Sequence, residues 1–202
     1  MSKSVVFYNE HAQQFMDETL YVDMSALYDA FLPHLPENAH ILDAGCGSGR
    51  DAREFLAQGY RVTAFDASEK LAGLASKTIN HPVAVRTFDQ VNEYQVYDGI
   101  WACASLLHLS PQQIPQVLLK LWQALKPGGV LYVSFKLGEG QRKDNGRHFT
   151  DATEEQIESW ASGLPRLEKT TIWQTADRRP ERDGYWVNGV MHKSIEHSPF
   201  PY

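Results

Sequence analysis

The sequence predicts an α/β domain: a mostly parallel sheet with helices on both faces and an antiparallel hairpin at its C-terminal end. Three observations carry this. Short apolar runs alternate with helix-period segments between residues 39 and 136. The first three runs end in acids, Asp43, Asp66 and Asp89, at the sheet edge where α/β domains bind ligands. The last two strand-like runs are joined by a loop too short for a helical crossover, so they should pair antiparallel.

Taken in order, residues 7–32 carry helix-period apolar positions (Phe7, Phe15, Met16, Leu20, Leu27, Phe31) and stop at Pro33 and Pro36. A buried strand is expected from Ala39 to Leu42, then the turn Asp43-Ala44-Gly45-Cys46-Gly47-Ser48-Gly49-Arg50, then a helix from Asp51. Tyr60 to Phe65 is the second strand and ends at Asp66. Ser68 caps a helix through about Thr78, with Leu71 and Leu74 facing inward. His81-Pro82 breaks that helix, and Val83 to Phe88 reads as a third strand ending at Asp89.

Tyr97 to Cys103 is the fourth strand. Ser110-Pro111-Gln112-Gln113 reads as a capping box opening a helix with Ile114, Val117, Leu118, Leu121 and Leu125 on one face. Lys126-Pro127-Gly128-Gly129 stops it, and Val130 to Phe135 is the fifth strand. After the polar loop 138–150, the box Thr153-Glu154-Glu155-Gln156 opens a helix to about Ser162. Leu167 to Thr175 and Tyr185 to His192 form the final hairpin across the charged loop Asp177 to Gly184. Strand–helix alternation in this order requires right-handed crossovers.

The glycine turn carries the chemistry. Glycines let a ligand approach the backbone, and an acid at the tip of the adjoining strand can bond both hydroxyls of a ribose. A carboxylate there suits a neutral diol and repels a 2′-phosphate. The nicotinamide fingerprint G-x-G-x-x-G needs a third glycine where this chain has Arg50. Asp43-x-Gly45-x-Gly47-x-Gly49 instead resembles the first motif of class I S-adenosylmethionine-dependent methyltransferases, and the resemblance extends over about residues 39–136.

That resemblance implies a Rossmann-like seven-stranded sheet, S-adenosyl-L-methionine as cofactor with S-adenosyl-L-homocysteine as product, and methyl transfer by direct displacement. It further implies that Asp43, Ala44, Gly45, Cys46, Gly47 and Gly49 lie against the methionine and ribose. The start of the helix near Arg50 and Asp51 would receive the cofactor carboxylate. Asp66, with Ala67 beside it, would take the ribose hydroxyls, and Phe88 and Asp89 the adenine. Asp43 orients the turn or accepts from the cofactor amino group through water. Ala102 and Ser105 run alongside the cofactor, and Tyr8 belongs to an N-terminal segment that folds over it.

For the acceptor, His108 is expected at the mouth of the site as general base or wall. Arg147, His148 and Phe149 in one loop, and Arg179 and Trp186 around the other, are candidates for its rim. If several converge, an anionic acceptor follows. Cys46 and Cys103 read as small buried hydrophobes and Phe15 as helix core.

At 202 residues the chain is one domain: a helical cap over 1–36, a cofactor core over 39–136, and a C-terminal helix and hairpin with substrate loops over 138–202. Nineteen basic against 25 acidic residues give a net charge of −6, whereas duplex DNA or structured RNA asks for a basic footprint. The basic clusters are short, Arg142-Lys143 with Arg147 and Arg178-Arg179 with Arg182. A small-molecule acceptor is therefore expected, with no nucleic acid, no membrane and no metal, in a cytoplasmic monomer or homodimer. A tRNA- or rRNA-modifying methyltransferase and a non-catalytic S-adenosylmethionine-binding protein are the alternatives. Base amino methylation is opposed by Ala102-Cys103-Ala104-Ser105, which stands where such enzymes carry an Asn/Asp-Pro-Pro-aromatic motif.

Overall fold

Neighbouring residues of the central strands point into two different cores, which is why each strand reads as an unbroken apolar run. Leu42, Ile100, Leu131 and Val133 face one side. Ile41, Trp101, Val130 and Tyr132 face the other. The computed structural model describes residues 2–179 and 182–195. Parts of three sequence expectations lie outside the described residues: the extreme N-terminus, the end of the C-terminal unit, and the middle of the loop after Asp177.

The strands are β1 (His40–Ala44), β2 (Arg61–Asp66), β3 (Val83–Val85), β4 (Tyr97–Ala102), β5 (Leu125–Lys136), β6 (Gln141–Asp144), β7 (Arg147–Thr150), β8 (Leu167–Ala176) and β9 (Tyr185–Lys193). The helices are α1 (Lys3–Glu10), α2 (Ala12–Thr19), α3 (Ser25–Phe31), α4 (Arg50–Ala57), α5 (Glu69–Ile79), α6 (Ile114–Ala124) and α7 (Glu154–Ser162). Seven strands form one sheet in the order β3-β2-β1-β4-β5-β9-β8. Pairing is parallel from β3 to β5, and β9 lies antiparallel to both β5 and β8. The expected fold class is therefore the observed one. Strand order reverses between β1 and β4, so the carboxyl ends of these two strands open the crevice where such sheets take ligands.

Local signals account for the helix ends. Ser68 accepts from Leu71 N–H at the start of α5, and Thr153 accepts from Gln156 N–H at the start of α7. Lys193 caps α6 from β9, its buried ammonium donating to the carbonyls of Trp122 and Leu125 at 2.7 Å. Burial pushes the Lys193 pKa down.

Five expectations are corrected. Ser110 does not cap a helix at Pro111: α6 begins at Ile114, and the Ser110 N–H and hydroxyl both donate to Gln113 Oε1 in the turn before it. The periodicity over 7–32 is not one helix but α1, α2 and α3 with a 3-10 turn at Leu32–His34. Its apolar residues serve different partners: Met16 and Leu20 pack with Leu71 of α5, whereas Leu27 and Phe31 join the core around Trp101. A straight helix could not reach both. The third strand ends at Val85, because Thr87 and Gln90 close a capping box around a turn at Phe88–Gln90. The fifth strand begins earlier, at Leu125, and absorbs the Pro-Gly-Gly segment as an irregularity in its pairing with β4. Finally, loop 138–150 contains the antiparallel hairpin β6–β7. Its two-residue turn, Asn145-Gly146, has positive φ at both positions, 48° and 80°, the signature of a type I′ connection.

Gly146 has open space around the place a Cβ would take, so Gly146→Ala tests backbone strain alone. It should cost about 1 kcal/mol. Hydrogen exchange should show faster opening confined to residues 141–150; unchanged exchange there would remove this account of the turn.

Candidate active site

The tip of β1 is held by backbone and carboxylate bonds. The N–H groups of Gly45 and Cys46 donate to the Phe65 carbonyl at 3.0 and 2.9 Å. Gly45, Gly47 and Gly49 all have positive φ, at 78°, 55° and 77°, a conformation costly for other residues. A Cβ on Gly45 would lie 2.6 Å from the Ser105 Cβ, and one on Gly47 would lie 3.0 Å from the Phe15 ring. Gly49 is different. A Cβ there would meet Ile79 and Ala75 of α5, so its bareness serves helix packing and the start of α4.

Three carboxylates support the turn. Asp43, buried, accepts from Ala52 N–H at 3.1 Å and so orients the start of α4. Asp66 accepts from Gly47 N–H at 2.9 Å and from Ser68 N–H at 2.8 Å, tying the tips of β1 and β2 together. Asp51 is the hub of a buried network: it accepts from Tyr28 O–H (2.6 Å), Trp101 Nε1–H (2.8 Å) and both Nε and Nη2 of Arg50 (2.7 and 2.9 Å). Burial alone would raise the Asp51 pKa, but the Arg50 charge and these donors outweigh it and hold it low. Asp43 moves the other way, raised by burial and by the charge on Asp51.

A cavity of about 460 Å³ opens from this turn. Gly45, Cys46, Gly47 and Arg50 line one end, with Tyr8 and Phe15 above them. Cys103, Ala104 and His108 from the end of β4 line its side, and Arg147, Phe149, Arg179 and Trp186 its far wall. The substrate candidates named from sequence thus converge. Asp43, Ala44, Gly49, Ala102 and Ser105 are buried beneath the turn, Asp66 and Ala67 are half-buried at the end of β2, Phe88 is half-buried, and Asp89 is exposed. Phe15 packs against the cluster of Ala12, Met16, Leu20 and Leu71, as expected of helix core, and also lies against Gly47 as part of the roof.

His108 has a defined protonation geometry. Its Nδ1 lies 2.8 Å from the His148 carbonyl, which can only accept, so Nδ1 carries the proton. Nε2 is then an acceptor, and the Tyr8 hydroxyl donates to it at 2.9 Å. Burial lowers the His108 pKa to about 4 and raises that of Tyr8. The backbone of His148 serves twice, since its N–H also donates to Ser4 of α1 at 3.1 Å.

The cavity is cationic in an acidic protein. Arg50, Lys136, Arg142, Arg147, Arg178, Arg179 and Arg182 line it, against Asp51, Asp144, Asp151, Asp177 and Asp183. Sequence reasoning missed Lys136 and Asp177. Asp177 accepts from Lys136 at 2.6 Å and from Arg179 at 3.0 and 2.6 Å. Despite burial, those two cations hold its pKa below the usual carboxylate range. The signal for Lys136 was its position at the carboxyl end of β5, where side chains face the ligand crevice.

Gly45→Ala combines a disfavoured φ with a clash against Ser105. It should lower stability by about 3 kcal/mol in chemical denaturation, and a loss under 1 kcal/mol would refute the packing described.

The comparisons agree with this geometry. A family model described as a methyltransferase domain matches residues 41–129. A ubiquinone biosynthesis O-methyltransferase of Rickettsia canadensis is 31% identical over 101 residues, which cover 46% of this chain and 41% of that protein. The chain thus spans about two fifths of the length of such curated relatives. Among solved structures, the 1,6-didemethyltoxoflavin-N1-methyltransferase of Burkholderia thailandensis superposes with a TM-score of 0.74 at 24% identity, covering 94% of this chain and 85% of that one. The [4+2]-cyclase SpnF shares the fold as well, with a TM-score of 0.69 at 16% identity over 85% of this chain and 80% of its own. Fold alone therefore does not name a reaction. The segment that carries the glycine turn and the acid at the tip of β2 is thus similar to a methyltransferase domain, in line with the resemblance to class I S-adenosylmethionine-dependent methyltransferases.

Proposed function

We propose that this chain transfers a methyl group from S-adenosyl-L-methionine to a small-molecule acceptor by direct displacement. The observation that carries the reading is that the glycine turn and a histidine nitrogen able only to accept line one cavity. The cofactor fits what the residues offer. Gly45 and Gly47 present bare backbone to the cavity; Asp66 would take the ribose diol, and Phe88 and Asp89 would meet adenine, as the family resemblance implies. Tyr8 and Phe15 would cover the methionine end. Seven of the 19 lysines and arginines line the cavity, which supports a small anionic acceptor, and the net charge of −6 speaks against a nucleic acid.

When bound, S-adenosylmethionine supplies a methyl carbon on a positively charged sulfur that becomes a neutral thioether. The residues have two tasks: holding the nucleophile in line with that carbon, and excluding water. Tyr8 and Phe15 close the cavity from above. His108, neutral at physiological pH, accepts the proton of a hydroxyl nucleophile at Nε2. A base with a pKa near 4 suffices here because the cavity loses one positive charge as His108 gains one, so the net charge is constant through the step.

Calorimetry with S-adenosylhomocysteine and NADH tests the cofactor; binding of NADH alone would overturn the reading. Asp66→Ala should weaken S-adenosylhomocysteine at least about tenfold, the worth of a bond to a charged acceptor. With a radiolabelled methyl donor and an acceptor found by screening metabolite pools, His108→Gln should lower kcat by about 10²–10⁴. A base must be unprotonated, so the wild-type rate should be level from pH 7 to about 5 and be lost as pH falls through about 4. A profile falling near 6.5 instead would show an imidazole in ordinary solvent.

A further inference from the structure

Tyr8 is a phenol already bonded to the base. Its hydroxyl donates to His108 Nε2 at 2.9 Å, and Nε2 offers one in-plane lone pair. An acceptor hydroxyl that hands its proton to His108 must therefore take the place of the Tyr8 hydroxyl. What surrounds that hydroxyl is what the acceptor meets.

Those surroundings are aromatic and cationic. The Phe149 ring lies 5.0 Å from the His108 ring, and the Phe15 ring 5.1 Å from that of Tyr8. The Arg147 guanidinium stands 5.1 Å from the Phe149 ring and 6.0 Å from the Tyr8 ring. Its carboxylate partner, Asp144, is 44% exposed while Arg147 is only 15% exposed. Solvent thus screens the acid more than the cation. Nearby, Lys136 and Arg179 share the single carboxylate of Asp177, leaving one excess positive charge beside Trp186. Arg147 and His108 lie against the same Phe149 ring, so one small aromatic ring can reach both.

We propose that the acceptor is a hydroxylated aromatic carboxylate, its hydroxyl on His108 Nε2 in place of Tyr8 and its carboxylate facing Arg147. The assignment rests on the methyltransferase reading above. In the step, the O–H bond breaks and its proton goes to Nε2. The oxygen lone pair forms the bond to the methyl carbon, and the carbon–sulfur pair stays on sulfur. Tyr8 is then a placeholder, keeping the base bonded and the cavity ordered until the acceptor displaces it.

The test uses the full chain. S-adenosylhomocysteine binding is measured first by calorimetry. The three hydroxybenzoate isomers, the matching hydroxybenzamides and benzoate are then titrated into the loaded protein. At least one hydroxybenzoate should bind tenfold or more tighter than its amide and than benzoate. Arg147→Met should abolish the preference over the amide, Arg147→Lys should restore part of it, and both should keep S-adenosylhomocysteine affinity as evidence of an intact fold. Tyr8→Phe, which removes the competing donor, should tighten that hydroxybenzoate about three- to tenfold without changing benzoate. Equal binding of acid and amide overturns the carboxylate assignment, and weaker hydroxybenzoate binding in Tyr8→Phe overturns the placeholder. Failure of every isomer on loaded protein overturns the acceptor class. Failure of S-adenosylhomocysteine itself is a separate result, which ends the methyltransferase reading and the acceptor proposal with it.

Discussion

The hydrogen bond from His108 Nδ1 to the His148 carbonyl is the constraint on which the proposed chemistry of this site turns. An imidazole can be donor or acceptor at either nitrogen, and a general base needs one nitrogen reliably bare. A backbone carbonyl cannot donate, so this bond settles the tautomer without a charged partner. That choice matters electrostatically. A carboxylate in the same place would raise the basicity of the ring, whereas a carbonyl leaves burial free to keep the ring neutral. The carbonyl belongs to β7, so the orientation of the His108 ring depends on a hairpin outside the main sheet.

The rest of the site is organised by shared partners. Asp51 gathers Arg50, Tyr28 and Trp101, joining α3, α4 and β4 at one carboxylate. Asp66 joins the tips of β1 and β2, and Asp177 joins β5 to the loop before β9. Each of these three acids has more than one donor, the condition under which a charge is tolerated away from water. The stacked rings of Trp101 and Tyr132, 3.9 Å apart, carry the same rigidity across the sheet from β4 to β5. The glycine turn is thereby held open on a frame with little freedom to close on itself.

Much of this was legible in the residues. Apolar runs and caps gave every strand of the seven-stranded sheet and its hairpin, because buried parallel strands leave a local record of their burial. The turn and its acids were legible for the same reason: glycine at alternate positions is a backbone requirement, written directly in sequence. The divided N-terminus was not, since helical period says nothing about which of two distant cores each apolar residue will meet. The β6–β7 hairpin had a signal in Asn145-Gly146, but its strands are polar and exposed on one face and lack an apolar alternation. Lys136 and Asp177 were hidden because their meeting is a property of topology, 41 positions apart in the chain.

The roof of the cavity includes an eight-residue helix, α1, attached through Ser4, Phe7 and Tyr8 to the hairpin and to His108, and through Asn9 to Ser68 and Lys70 at the start of α5. A helix that short has little stability of its own in water, so its order is borrowed from those few attachments. It adds no strand to the sheet. A ligand that bonded to Arg147 and His108, as the proposed acceptor would, would compete with Phe7 and Tyr8 of this helix for the same partners.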